Sequence, residues 1–149
     1  MADAIPRVFF DTSVLVPALV ASHPRHNEAA SRLERVHAGE IHLIISAHTI
    51  AELYSTLTAL PASPRISPAE AHRLIREDVL SRAEIISLDG RDYESLIAEM
   101  AEMNISGGAV YDALHVTAAR RAAADRLWTM NKRDFVRLWP DHAGVIEGV

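Results

Sequence analysis

The chain has 149 residues, 49% apolar and 23% charged, with a net charge of −5, which fits a single domain over residues 1–149 able to bury a proper core. It contains no cysteine, which excludes disulfides, thiolate metal sites and cysteine nucleophiles. No apolar run approaches the roughly 18 residues of a membrane span, and the start MADAIPRVFF lacks the pattern of a signal peptide, so a soluble cytoplasmic protein is expected.

Strand signals fall at residues 8–10, 41–45 (IHLII), 84–88 (EIISL), 127–130 (LWTM) and 144–146. Helical patterns fill the intervals at 25–38, 47–60, 67–80, 91–103 and 109–124. The helix at 67 opens on Ser67-Pro68-Ala69-Glu70, a serine cap with proline in first position and a glutamate placed to close a capping box. PASPRISP (61–68) is the one long loop, and there is no repeat or low-complexity tract. Strands alternating with helices predict an α/β domain with a parallel sheet covered on both faces. Such sheets place their sites beyond the carboxyl ends of the strands, where the strand order reverses.

Asp11 follows the first strand in RVFFDTSVLV. Taken alone, Asp11, Thr12 and Ser13 read as helix caps. Glu52 lies one and a half turns into the helix after the second strand, and Asp112 lies in the first turn of the helix after Gly107-Gly108. Asn131 and Asp134 follow the fourth strand, where a helix starting near Asn131 would turn both to one face, three residues apart, with Asn131 as its cap. A lone acid in an apolar helix is usually a satisfied residue at the edge of the core. Several acids that all follow strand ends are different, because crowded carboxylates repel and stay ionised only around a cation. Oxygen donors without cysteine point to Mg²⁺, or Mn²⁺ in its place, rather than zinc. His23 and His26 have a metal-like spacing but no third ligand nearby. His115, one turn after Asp112, is placed to approach a phosphate but reads first as a packing or surface residue.

The words FFDTSVLV, HTIAELYSTL, YDALHVTAA and TMNKRDF, in this order over nearly the whole chain, resemble the PIN-domain ribonucleases, and among them the VapC-type toxins of type II toxin–antitoxin pairs. The resemblance implies a PIN-like three-layer α/β/α domain with a central parallel sheet of four to five strands. It also implies Mg²⁺-dependent endonucleolytic cleavage of RNA, neutralisation by a small antitoxin protein, and a homodimer. Carried over by position, Asp11, Glu52 and Asp112 are the core acids, with Ser13 and Thr12 as hydroxyl neighbours. At the fourth place many relatives have aspartate where this chain has Asn131, so Asp134 is the alternative fourth acid.

Other readings compete. A phosphoaspartate phosphatase also ends its first strand in aspartate, but needs a second acid where this chain has Ser13. No glycine-rich nucleotide loop is present. A catalytically silent PIN-like module, keeping the acids as a structural cation site, stays open. Between residues 120 and 137 six arginines and lysines face two aspartates, a local +4 on a chain whose remainder carries −9, which suggests a face that attracts phosphate. Aromatic residues make up only 5%, so base stacking is expected to contribute little.

Overall fold

Leu43, Ile44 and Ile45 are apolar at three consecutive positions, which suits a strand covered on both faces and not one with a wet side. The computed structural model describes residues 3–149 and places that run in the interior of a five-stranded, all-parallel sheet of order β3-β2-β1-β4-β5. The strands are β1 Arg7–Phe10, β2 His42–Ser46, β3 Ala83–Ile86, β4 Arg126–Thr129 and β5 Ile146–Gly148. The helices are α1 Thr12–Leu19, α2 His26–His37, α3 Ala47–Ala59, α4 Pro68–Leu74, α5 Gly90–Glu102, α6 Ala109–Arg121 and α7 Lys132–Leu138. A wider π turn, Ile75–Leu80, continues α4, and a 3₁₀ segment, Pro140–Val145, leads into β5.

Alternation along the strands sorts the core into layers. Val8, Phe10, Leu43, Ile45 and Trp128 pack with Val14 and Leu15 of α1, Leu33 of α2, Leu53 and Leu57 of α3, and Ala71 of α4. Phe9, Ile44 and Leu127 point the other way, to Val116, Ala118 and Ala119 of α6 and Phe135 of α7. The alanines bring α6 close to the sheet, and α5 packs on α6 through Leu96, Met100, Ala113 and Leu114. Helices on both sides of a parallel sheet agree with the expected three-layer class. Among the described residues, no helix is long and apolar enough to cross a membrane.

The cap reading of Asp11, Thr12 and Ser13 implies a helix after β1, and TSVLVPAL forms it as α1, mostly buried and with Pro17 inside it. The chain ends that helix two residues past the proline, whose missing N–H removes a rung. Ser67 caps α4 as expected, accepting the Glu70 N–H at 3.1 Å, but the Glu70 carboxylate turns to Arg73 and closes no capping box. The last strand starts two residues later than expected, because Pro140 opens a 3₁₀ segment first.

Candidate active site

The order β3-β2-β1-β4-β5 reverses direction between β1 and β4, so the carboxyl ends of these two strands flank the switch point where parallel sheets open a crevice. Asp11 leaves β1 there. Its N–H still donates to the Trp128 carbonyl of β4 at 2.9 Å, which carries the sheet one residue further. Asp11 stands at the N-cap position of α1 but makes no side-chain cap bond. Its Oδ2 instead accepts from the Ser13 hydroxyl at 2.6 Å and from the Thr129 hydroxyl at 2.9 Å. Ser13 Oγ in turn accepts the Met130 N–H, and Thr129 Oγ1 accepts the Asn131 N–H, both at 2.9 Å. The two hydroxyls thus tie the β1 and β4 exits together around a carboxylate only 4% exposed. The cap reading of Asp11 therefore fails. Both bonds fall on Oδ2, and the residue lines a cleft of 460 Å³.

Glu52 reaches the same cleft from α3. Ser46 ends β2 and caps α3 through the Thr49 N–H, which fixes where that helix starts and hence where Glu52 points. Glu52 Oε1 is held twice, by His115 Nε2 at 2.8 Å and His48 Nε2 at 2.9 Å. Burial pushes the Glu52 carboxyl up, but the paired imidazoles outweigh it and leave the group below its ordinary value. Asp112 comes from α6. Its carboxyl is pushed up to about 6, first by burial and then by the charges of Asp11, Asp134 and Glu52, with His115 acting in the opposite sense. Asp11, Glu52, Asp112, Thr12, Ser13 and Asn131 all line the one cleft.

Asp134 and Asn131 part company. Asn131 is in the main cleft, whereas Asp134 and Asp112 line a neighbouring hollow of 220 Å³ with Arg137. The expected placement of both on one face is corrected: Asn131 precedes α7 with φ −119° and ψ 50°, outside the helical turn that would align it with Asp134. Its side chain makes no cap bond either. Asp112 stands between the two spaces.

His115 was read as a packing or surface residue. It is fully buried, with Nε2 on Glu52 and Nδ1 on the Ser46 hydroxyl at 3.0 Å. Thr129 and His48 join the site without a motif of their own to mark them. Their signal was positional, since Thr129 closes a strand beside the switch point and His48 lies one turn before Glu52 on α3. His23 and His26 form no pair: His26 Nδ1 meets the Pro17 carbonyl and His23 Nδ1 accepts the Arg25 N–H. The basic window is largely neutralised across elements, with Arg120 on Glu99, Arg121 on Asp92 and Arg126 on Glu147. Among the described residues, Lys132, Arg133 and Arg137 form no ion pair and remain as its free charge.

Among the described residues no three His, Asp or Glu side chains converge closely enough to cage an ion unaided. The donors present still suit a hard divalent cation. Such an ion keeps several waters and needs only one or two carboxylates, and the buried Thr12 hydroxyl lies beside Glu52 without a well-aligned hydrogen bond of its own.

Residues 8–138 match the PIN domain model, and the chain belongs to the PIN domain family. It is 37% identical over 123 residues to Ribonuclease VapC40 of Mycobacterium tuberculosis, covering 83% of this chain and 85% of that protein. It is also 37% identical over 120 residues to Ribonuclease VapC27 of the same species, covering 80% and 82% respectively. The crystal structure of VapBC2 from Rickettsia felis, bound to a DNA fragment from their promoter, superposes with a TM-score of 0.65 at 21% identity, over 96% of this chain and 98% of that one. That last likeness is one of fold.

Proposed function

We propose that this chain is a divalent-metal-dependent endoribonuclease, the toxin of a type II toxin–antitoxin pair, acting as one domain in the cytoplasm with a cognate antitoxin as its protein partner. The observation that carries the reading is that Asp11, Glu52 and Asp112 line one cleft at the switch point, where burial first and then the charges of Asp11, Asp134 and Glu52 push the Asp112 carboxyl up to about 6. Kinship with VapC40 and VapC27, both ribonucleases, supplies the substrate class.

Asp11, Glu52 and Asp112 would hold Mg²⁺, with Mn²⁺ able to replace it, and Asp134 would support Asp112 from the adjoining hollow. When bound, such an ion neutralises phosphate charge and lowers the pKa of a coordinated water. Ser13 and Thr129 fix the Asp11 carboxylate, and His115 and His48 fix that of Glu52, so both are oriented before substrate arrives. Arg137, which forms no ion pair among the described residues, lines the hollow with Asp112 and Asp134 and would attract the RNA backbone there.

Purified protein should cut RNA in Mg²⁺ and not in EDTA, and Asp11→Asn should abolish the cut while leaving the fold intact. A silent binding module would take up the ion and leave RNA whole. At the fourth corner, Asp134→Asn should lower cleavage strongly while weakening metal binding less than Asp112→Asn does. Asn131→Ala should change stability by less than about 0.5 kcal/mol, since no cap bond is lost. Cleavage rate against Mg²⁺ concentration checks both variants. Near-normal cleavage in Asp134→Asn, with the loss in Asn131→Ala, would move the fourth role to Asn131.

A further inference from the structure

Tyr111 immediately precedes Asp112 in α6, and it is 53% exposed. An exposed tyrosine ordinarily samples several rotamers, but this ring stands parallel to the His48 imidazole in an offset stack, with centroids 5.3 Å apart and 5° between the planes. His48 binds Glu52 Oε1 through Nε2, and its ring also leans on that of His115, centroids 5.8 Å apart. The phenol is thus ordered from beneath by a series of rings that ends on a fully buried histidine. One face of Tyr111 is spent on His48, and the remaining surface stands open. A single imidazole separates this ring from the Glu52 carboxylate.

We infer that Tyr111 is a stacking platform for an unpaired nucleobase next to the scissile phosphate. The inference rests on the ribonuclease reading above and adds the group that grips the strand. A strand whose phosphate lies over Asp11, Glu52 and Asp112 must carry its adjacent bases out beyond the cleft, and Tyr111, next to Asp112 in α6 and one imidazole away from Glu52, is the exposed ring nearest that exit route. Stacking on an aromatic side chain strengthens single-strand binding on the order of 5- to 150-fold per base and tolerates any base, because each has a π face. A ring already ordered loses little further freedom when it is covered. The low aromatic content of the chain suggested little stacking, but a count of rings carries no information on where one of them stands. The base would extend the Tyr111–His48 pair into a stack of three rings.

The test compares the full chain with Tyr111→Leu, which keeps bulk and loses the π face, and Tyr111→Phe, which keeps the ring. The substrate is a 12-nucleotide RNA built around a site that the parent protein cuts in total RNA. Tyr111→Leu should raise KM about tenfold with kcat within about twofold, and Tyr111→Phe should match the parent. Anisotropy of the labelled 12-mer in EDTA should show the same weakening without any metal. Replacing nucleotides one at a time by abasic residues should raise the parent's KM by that factor at one position and leave Tyr111→Leu unmoved there. An unchanged KM in Tyr111→Leu, a fall confined to kcat, or an abasic effect equal in both proteins overturns the platform while the ribonuclease stands. If the parent cuts no RNA in either Mg²⁺ or Mn²⁺, the ribonuclease reading falls and the platform falls with it.

Discussion

Asp112→Asn should raise the melting temperature of the metal-free chain at neutral pH and at the same time abolish RNA cleavage. The Asp112 carboxyl is pushed up to about 6 from an ordinary value near 3.8, by burial and by the neighbouring acids. Its folded-state value lies above its unfolded one, so its contribution to stability is complete below about pH 4 and is lost as pH rises through about 6. At 1.36 kcal/mol per unit the loss is at most about 3 kcal/mol, and solvent screening at this half-buried site reduces it to about 1–2. That corresponds to several degrees in a domain of this size. The amide imitates the protonated acid and escapes the penalty. Glu52 acts in the opposite direction: its lowered value adds stability that disappears as pH falls into the acid range. The informative quantity is therefore the difference between parent and variant, followed in EDTA from pH 4 to 8. It should be near zero at pH 4 and grow through pH 6.

Saturating Mg²⁺ should invert this ranking. An ion at about 100 times its dissociation constant stabilises the parent by roughly 2.7 kcal/mol, and the variant, lacking one charged donor, should gain clearly less. If parent and variant show the same pH dependence and the same gain with metal, Asp112 does not belong to the ion's site. Asp11→Asn, Glu52→Gln and Asp112→Asn should each remove nearly all cleavage, and combining them should cost little more, since groups acting as one unit are not additive.

The fold was legible because its signals are local. Apolar runs of strand length alternate with stretches of helical period, and that suffices for a parallel sheet with helices on both faces. The place of Asp11 was legible for a related reason, since the ends of strands are visible in sequence and the switch-point rule concerns strand ends, whereas Asp112, in α6 behind another helix, came to notice through its apolar neighbours and the family resemblance. What stayed hidden depends on contacts between distant elements. Nothing near His115 in sequence indicates that α6 would set its ring against Glu52, 63 positions earlier, or that Ser46 would meet its other nitrogen. Asn131 shows the converse error. Asparagine before a helix is a good local cap, yet the Thr129 hydroxyl beside it takes the Asn131 N–H, and the side chain makes no cap bond. The extent of α1 was not legible for a physical reason too, since a short, mostly buried helix has almost no polar face and shows little period.

His115 gives the last and sharpest test, because its two nitrogens separate stability from metal binding. The Ser46 hydroxyl on Nδ1 and the carboxylate on Nε2 together favour the tautomer that carries its proton on Nε2, aimed at Glu52. His115→Ala removes a fully buried ring, leaves the Ser46 hydroxyl short of a partner and takes from Glu52 its hydrogen bond, leaving only the close His48 contact. The void and the lost bonds should cost about 3 kcal/mol of stability. Glu52, held only by the partly exposed His48, would then lose its fixed orientation, and partners of this kind typically carry about 10–100-fold in metal affinity or activity. His115→Gln can still present an amide N–H to Glu52 but fills the ring's space poorly. It should recover most of the metal affinity and only part of the stability. Melting temperature in EDTA reads the first quantity, and the rise in melting temperature with Mg²⁺ concentration reads the second. A packing residue alone would lose stability in both variants and leave the metal dependence untouched. Parent-like metal affinity in folded His115→Ala would show that His48 suffices to hold Glu52.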